Sequence, residues 1–112
     1  YYILNINNKE LLPINKNINI NGDGHPSVSP DKRWLAYDSY PDRSRLIHLS
    51  LYDFRTNRII EIGKFLSPLD YYDYCRCDLH PRWSPDGKLL SIDSTHSGMR
   101  ESYIIDVSKI VK

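Results

Sequence analysis

Residues 77–96 read C-D-L-H-P-R-W-S-P-D-G-K-L-L-S-I-D-S-T-H. The middle of this stretch is two short strands about a tight turn. Pro85 presets φ at a turn's second position, Asp86 can bond its own backbone, and Gly87 accepts a positive φ. The apolar residues 89–93 then run out as a strand. Residues 23–39, D-G-H-P-S-V-S-P-D-K-R-W-L-A-Y-D-S, repeat the device 55 positions earlier (His80 against His25). Of the 17 aligned positions nine are identical: Asp23/Asp78, His25/His80, Pro26/Pro81, Ser29/Ser84, Pro30/Pro85, Asp31/Asp86, Leu35/Leu90, Asp38/Asp93 and Ser39/Ser94. An internal repeat of this period predicts like units stacked side by side.

Outward from the two copies, strand and turn signals alternate. Strands are expected over residues 1–7 and 10–14, with Pro13 marking an edge or an end. Residues 15–24 are Asn- and Gly-rich and read as a loop, although Ile18 and Ile20 need packing. The first full unit takes strands at 25–28, 34–39, 46–54 and 58–65. A loop over 66–78 carries Tyr71, Tyr72, Tyr74 and Cys75. The second unit takes strands at 81–83, 89–93 and 101–107. No helical period is sustained, and residues 108–112 have room for a helical turn at most.

The expected fold class is therefore all-β. Four short antiparallel strands per unit are the signature of a β-propeller blade, and the chain holds about two and a quarter blades where a ring needs about four to eight. Residues 1–14 supply the outer two strands of a preceding blade, 15–65 a complete blade, and 66–112 a blade lacking its outermost strand. The remaining blades, or further copies of the chain, are expected as partners, because unpartnered blade faces are sticky.

A chain of 112 residues is one domain at most. Fifteen Lys and Arg against fourteen Asp and Glu, a net charge of +1, give no basic stripe for nucleic acid. No apolar run approaches the ~20 residues of a membrane span. The chain does not begin with Met and shows no signal peptide, as expected of an excised or processed piece, and leaves cytoplasmic and periplasmic locations both open. Cys75 and Cys77 are too close in sequence for an unstrained disulfide, so two free thiols are expected.

The repeat H-P-x-x-S-P-D-(G/K)-x-x-L-x-x-D-S resembles the WD-repeat-like units of the periplasmic Tol-system propeller protein and of oligogalacturonate lyases. A closer resemblance spans residues 22–107. It runs through G-D-G-H-P-S-V-S-P-D, D-S-Y-P-D-R, L-Y-D, R-C-D-L-H-P-R-W-S-P-D-G-K and I-D-S-T-H-S-G-M-R-E-S-Y-I-I-D, and is to the C-terminal blades of bacterial oligogalacturonate-lyase-like propellers. Some such proteins carry glycosyltransferase labels. The resemblance implies a protein that binds or processes acidic carbohydrate, with a divalent metal, typically manganese, held by histidines and a Gln at one mouth of the ring. The lyases' run of a Gln followed by two close histidines has no counterpart, and the chain contains no Gln. No residue here is assigned a catalytic role.

Blade geometry separates two ends. The 29–33, 84–88 and 55–57 turns share one, and carry ordinary turn residues. The loops at 15–24, 40–45, 66–79 and 95–100 share the other, where function held on a rigid scaffold is expected. His25, His80 and His96 are the candidate metal ligands, for manganese or zinc. Tyr40, Arg43, Arg45 and Arg100 are the candidate substrate-binding residues, since a guanidinium suits a sugar carboxylate. Tyr71, Tyr72 and Tyr74 either stack on sugar rings or cover a blade edge. The repeated His-Pro has a second, structural reading, in which each imidazole bonds Asp23/Asp78 or Asp38/Asp93 and fastens neighbouring blades. His48, in mid-strand, is expected to pack or face solvent. The alternative to a carbohydrate-binding protein is a non-catalytic scaffold, or a domain appended to a polysaccharide-biosynthesis protein such as a glycosyltransferase.

Overall fold

The computed structural model describes residues 1–14 and 23–112; the expected loop residues 15–22, with Ile18 and Ile20, lie outside them. Among the described residues nine strands form three antiparallel sheets. β1 (Tyr2–Leu4) and β2 (Leu11–Pro13) make a hairpin. β3 (Pro26–Val28), β4 (Trp34–Asp38), β5 (Leu46–Asp53) and β6 (Arg58–Leu66) form a meander in that order. β7 (Arg82–Trp83), β8 (Leu89–Ser94) and β9 (Glu101–Asp106) form a shorter one. A 3-10 turn, Asp73–Cys75, interrupts the loop between the sheets. The all-β, antiparallel expectation holds, with the predicted strand order and sheets of two, four and three strands, none of them closed. Among the described residues no helix is long and apolar enough to cross a membrane.

The two S-P-D turns build themselves identically. The amide of Lys32 donates to the Ser29 carbonyl at 2.9 Å, and that of Gly87 to the Ser84 carbonyl at 2.9 Å. The Asp31 and Asp86 carboxylates each accept from a serine hydroxyl and from the amide two residues on, of Arg33 and Lys88. The serine hydroxyls accept from the Trp34 and Leu89 amides. Each turn then needs a left-handed residue, and these are Lys32 at φ 59° and Gly87 at φ 69°. That conformation costs a side-chain-bearing residue roughly 1–2 kcal/mol. Lys32→Gly is expected to raise the unfolding free energy from urea titration by roughly 0.5–1 kcal/mol, after the greater entropy of unfolded glycine is subtracted. Gly87→Ala is expected to lower it by a similar amount; unfolding free energies equal to the native protein's in both variants would refute the strain.

The central sheet is covered on both faces. One face packs Trp34, Ala36 and Leu51 against Leu90 of the C-terminal sheet and Val107 just after it, and Ile47 and Leu49 against Leu79 and Ile92. The other puts Leu35, Tyr37 and Tyr52 under Tyr1 and Ile14 of the hairpin segment. Alternation along β4 sends neighbouring residues to opposite faces, which is why all five of its residues are buried. The innermost strands β3 and β7 approach each other, and the Trp83 indole N–H donates to the Ser27 carbonyl at 2.9 Å. The expected free thiols are seen: Cys75 is exposed and Cys77 buried, and burial pushes the Cys77 thiol up.

His48 does face outward, but it is not idle. Its Nδ1 lies 3.0 Å from Glu61 on β6 and its Nε2 3.0 Å from Asp42 in the 40–45 loop. Asp42 first, then Glu61, hold the imidazole above its ordinary value, and it holds both carboxyls below theirs. The imidazole's contribution is fully present below its unfolded value near 6.5 and is lost as pH rises through the folded one. The carboxylates contribute above their unfolded values and lose that contribution as pH falls. The bridge is therefore strongest at roughly pH 5–6. The melting-temperature difference between the native protein and His48→Gln is expected to peak there and to fade above about pH 8; a difference flat with pH would contradict it.

Candidate functional site

The loop end of the central and C-terminal sheets gathers around one carboxylate. Asp38 ends β4 and is 2% exposed. Its Oδ1 accepts the His25 amide at 2.6 Å and lies 3.1 Å from His25 Nδ1. Its Oδ2 accepts the amide of His80, which leads into β7 of the other sheet, at 2.9 Å. One side chain thus fastens the starts of both innermost strands. The structural reading of His25 is seen here, with Asp38 as its partner, and the same carboxylate reaches the next unit through that unit's backbone.

Gly24 makes this approach possible. A Cβ at residue 24 would lie 1.9 Å from the Asp38 carbonyl oxygen and 2.9 Å from its Oδ1. In the second copy the matching position is Leu79, fully buried against Ile47, Leu49 and Ile92. The backbone there is turned differently, and His80 takes φ 45°. The second aspartate also differs. Asp93 makes a bidentate pair with Arg82, at 3.0 and 3.1 Å, and accepts from the Ser102 hydroxyl. Arg82 holds its carboxyl below the ordinary range.

With their backbones tied to Asp38, the two imidazoles lie almost face to face, ring centres 3.7 Å apart and tilted by 31°. Asp78 is beside them. Ligand atoms of His25, Asp78 and His80 all lie within 4.8 Å of one another. Bonding of Nδ1 to Asp38 orients the His25 ring and leaves Nε2 as its free ligand atom, the arrangement common for metal-binding imidazoles. Asp78 Oδ1 accepts from Arg76 Nε at 2.8 Å. The Arg76 guanidinium sits 4.5 Å over the Tyr40 ring, and that ring meets His25 edge-on at 5.9 Å. The Tyr1 hydroxyl is buried without a hydrogen-bond partner among the described residues. Burial pushes it up to about 12, with the Asp38 and Asp23 carboxylates adding to the rise.

The candidate residues divide. His25, His80 and Tyr40 come together. His96 stands with other partners: its Nδ1 is 2.8 Å from the Ser94 hydroxyl, and its ring meets Tyr103 at 4.5 Å and Phe65 at 5.5 Å. Arg43 is exposed. Arg45 donates to the carbonyl and hydroxyl of Ser67 and to the Tyr71 carbonyl. Arg100 donates to the carbonyls of Cys75 and Arg76. Both arginines brace the 66–78 loop, as does the Tyr71 hydroxyl through the Gly98 carbonyl. Tyr72 and Tyr74 remain exposed.

Sequence reading placed Asp78 at this end without joining it to the ligand set, and it passed over Arg76. The signal was present in R-C-D-L-H-P, which puts an arginine, a carboxylate and an imidazole at alternate positions. Nothing in the sequence marks Tyr1. No protein-family model matches the chain, and none of the curated proteins is significantly similar to it.

Proposed function

We propose that this chain is part of a β-propeller protein that binds an acidic carbohydrate at the loop end of its sheets, with His25, His80 and Asp78 holding a divalent cation. The observation that carries the reading is the convergence of those three side chains from two units onto one spot. Metal bonds to nitrogen and oxygen of about 2.0–2.2 Å ask for donor atoms roughly 3–4 Å apart, which small side-chain rotations can supply from the observed spread. Two imidazoles and a carboxylate suit zinc or manganese. The bound cation would supply positive charge for a sugar carboxylate. Arg76 adds a guanidinium next to it, and Tyr40 an aromatic face. The resemblance of residues 22–107 to oligogalacturonate-lyase-like propellers supports the substrate class.

Calorimetric titration of the purified protein with zinc and with manganese tests the cation. Near-stoichiometric binding is expected, with His80→Ala and Asp78→Asn each weakening it at least about tenfold. Affinity equal to the native protein's in both variants would sink the proposal. Binding of uronate oligosaccharides with and without the cation then tests the substrate class.

A second reading is a non-catalytic scaffold, free-standing or appended to a polysaccharide-biosynthesis protein. The commitment of Arg45 and Arg100 to backbone carbonyls favours it. It expects His80→Ala to lower the melting temperature with no change in any ligand response.

A further inference from the structure

We infer that Asp78 is a counter-ion shared between the cation site and Arg76, so that cation binding unmasks the Arg76 guanidinium as a receptor for a carboxylate ligand. The inference rests on the cation reading above and adds a coupling to it: cation and carboxylate each strengthen the binding of the other. Asp78 stands at the junction. Its ligand atom lies within 4.8 Å of those of His25 and His80, and its Oδ1 accepts from Arg76 Nε at 2.8 Å. A bound divalent cation is the largest charge in such a site. It draws the Asp78 carboxylate to itself and leaves the guanidinium short of negative charge.

Arg76 is held in place by more than Asp78. Its amide donates to the Asp73 carbonyl at 3.1 Å, and Arg100 donates to the Cys75 and Arg76 carbonyls at 3.0 and 3.4 Å. The guanidinium lies 4.5 Å over the Tyr40 ring. Among the described residues neither of its terminal nitrogens has a hydrogen-bond partner, so two parallel N–H bonds are open to one carboxylate. The pair with Asp78 is not needed to build the repeat. Residues 21–26 read N-G-D-G-H-P where 76–81 read R-C-D-L-H-P, and Asp23 there accepts the Gly24 amide at 3.0 Å instead. The Arg76 side chain is also 42% exposed, and an ion pair so open to water contributes little to stability. Such a pair exchanges partners readily, as a shared counter-ion must.

Zinc and galacturonate are the probes, with galactose as the uncharged counterpart. In calorimetric titration of the native protein, saturating galacturonate is expected to tighten zinc binding at least about fivefold, and galactose to leave it unchanged. Arg76→Gln should bind zinc alone about threefold more tightly than the native protein, since a repelling charge is gone, and should lose the galacturonate effect. A residue that only braced the loop would weaken zinc binding when replaced. With a chelator present, Asp78→Asn should bind galacturonate at least about fivefold more tightly than the native protein, because Arg76 is no longer neutralised. Equal galacturonate coupling in the native and Arg76→Gln proteins, or no gain in Asp78→Asn, would overturn the inference and leave the cation site standing. Absence of zinc binding by the native protein would remove the cation reading and this coupling together.

Discussion

Asp38→Ala is expected to unfold this protein about 10–20 °C earlier than the native chain. The carboxylate takes two backbone N–H groups and an imidazole nitrogen, and it is buried where water cannot replace it. Removing the acceptor leaves part-buried donors without their partner, at up to about 1–3 kcal/mol each. A total of about 3 kcal/mol corresponds to that shift for a domain of this size. Asp38→Asn should fall between. Whichever way its amide is turned, one of the two positions presents N–H to a histidine amide that also donates, so either His25 or His80 loses its acceptor. A melting temperature within 2–3 °C of native for the alanine variant, a change of well under ~1 kcal/mol, would show that the two strand starts are held by packing alone. Cation binding should fail in Asp38→Ala even well below its melting temperature, because His25 loses the bond that orients its ring.

Gly24→Ala comes next in size. Its Cβ would stand 1.9 Å from a backbone oxygen at the end of β4, and no side-chain rotation relieves that contact. The chain before His25 must move away, carrying the His25 amide and ring off Asp38. Overpacking of this kind costs about 1–3 kcal/mol. The informative readout is the split between two measurements. The loss of cation affinity should exceed the loss of stability, since β4 and the core beneath are untouched. Equal cation affinity in the native and Gly24→Ala proteins would mean that the loop accommodates a methyl group without shifting His25.

Much of this was legible in the chain because the signals were local. S-P-D turns, β-branched and aromatic runs and the 55-residue repeat placed all nine strands in order, since turn chemistry and alternation act over a few residues. The site was harder because repetition misleads where two copies diverge. His25 and His80 were rightly paired as equivalents, but Gly24 and Leu79 are not equivalent, and neither are Asp38 and Asp93. One aspartate is a buried bridge and the other a partner of Arg82 on the surface. Which of two identical residues is buried depends on what lies across the next sheet, and a sequence alignment of the copies does not contain that. The partners of two candidate arginines were hidden for a related reason. Arg45 and Arg100 reach carbonyls of a loop more than twenty residues away in sequence, and no short pattern encodes such a partner.

The Asp38 bridge also bears on how an array of such units behaves as a whole. Repeat proteins are described by a stability for each unit and a coupling to its neighbour. A carboxylate fixed in one unit that accepts the first amide of the next contributes to the coupling, and by its burial that contribution is all or none. Lengthening the array would then add cooperativity faster than it adds core. The melting of a longer stack should sharpen with each unit joined, and a single Asp38→Ala in its middle should divide one transition into two.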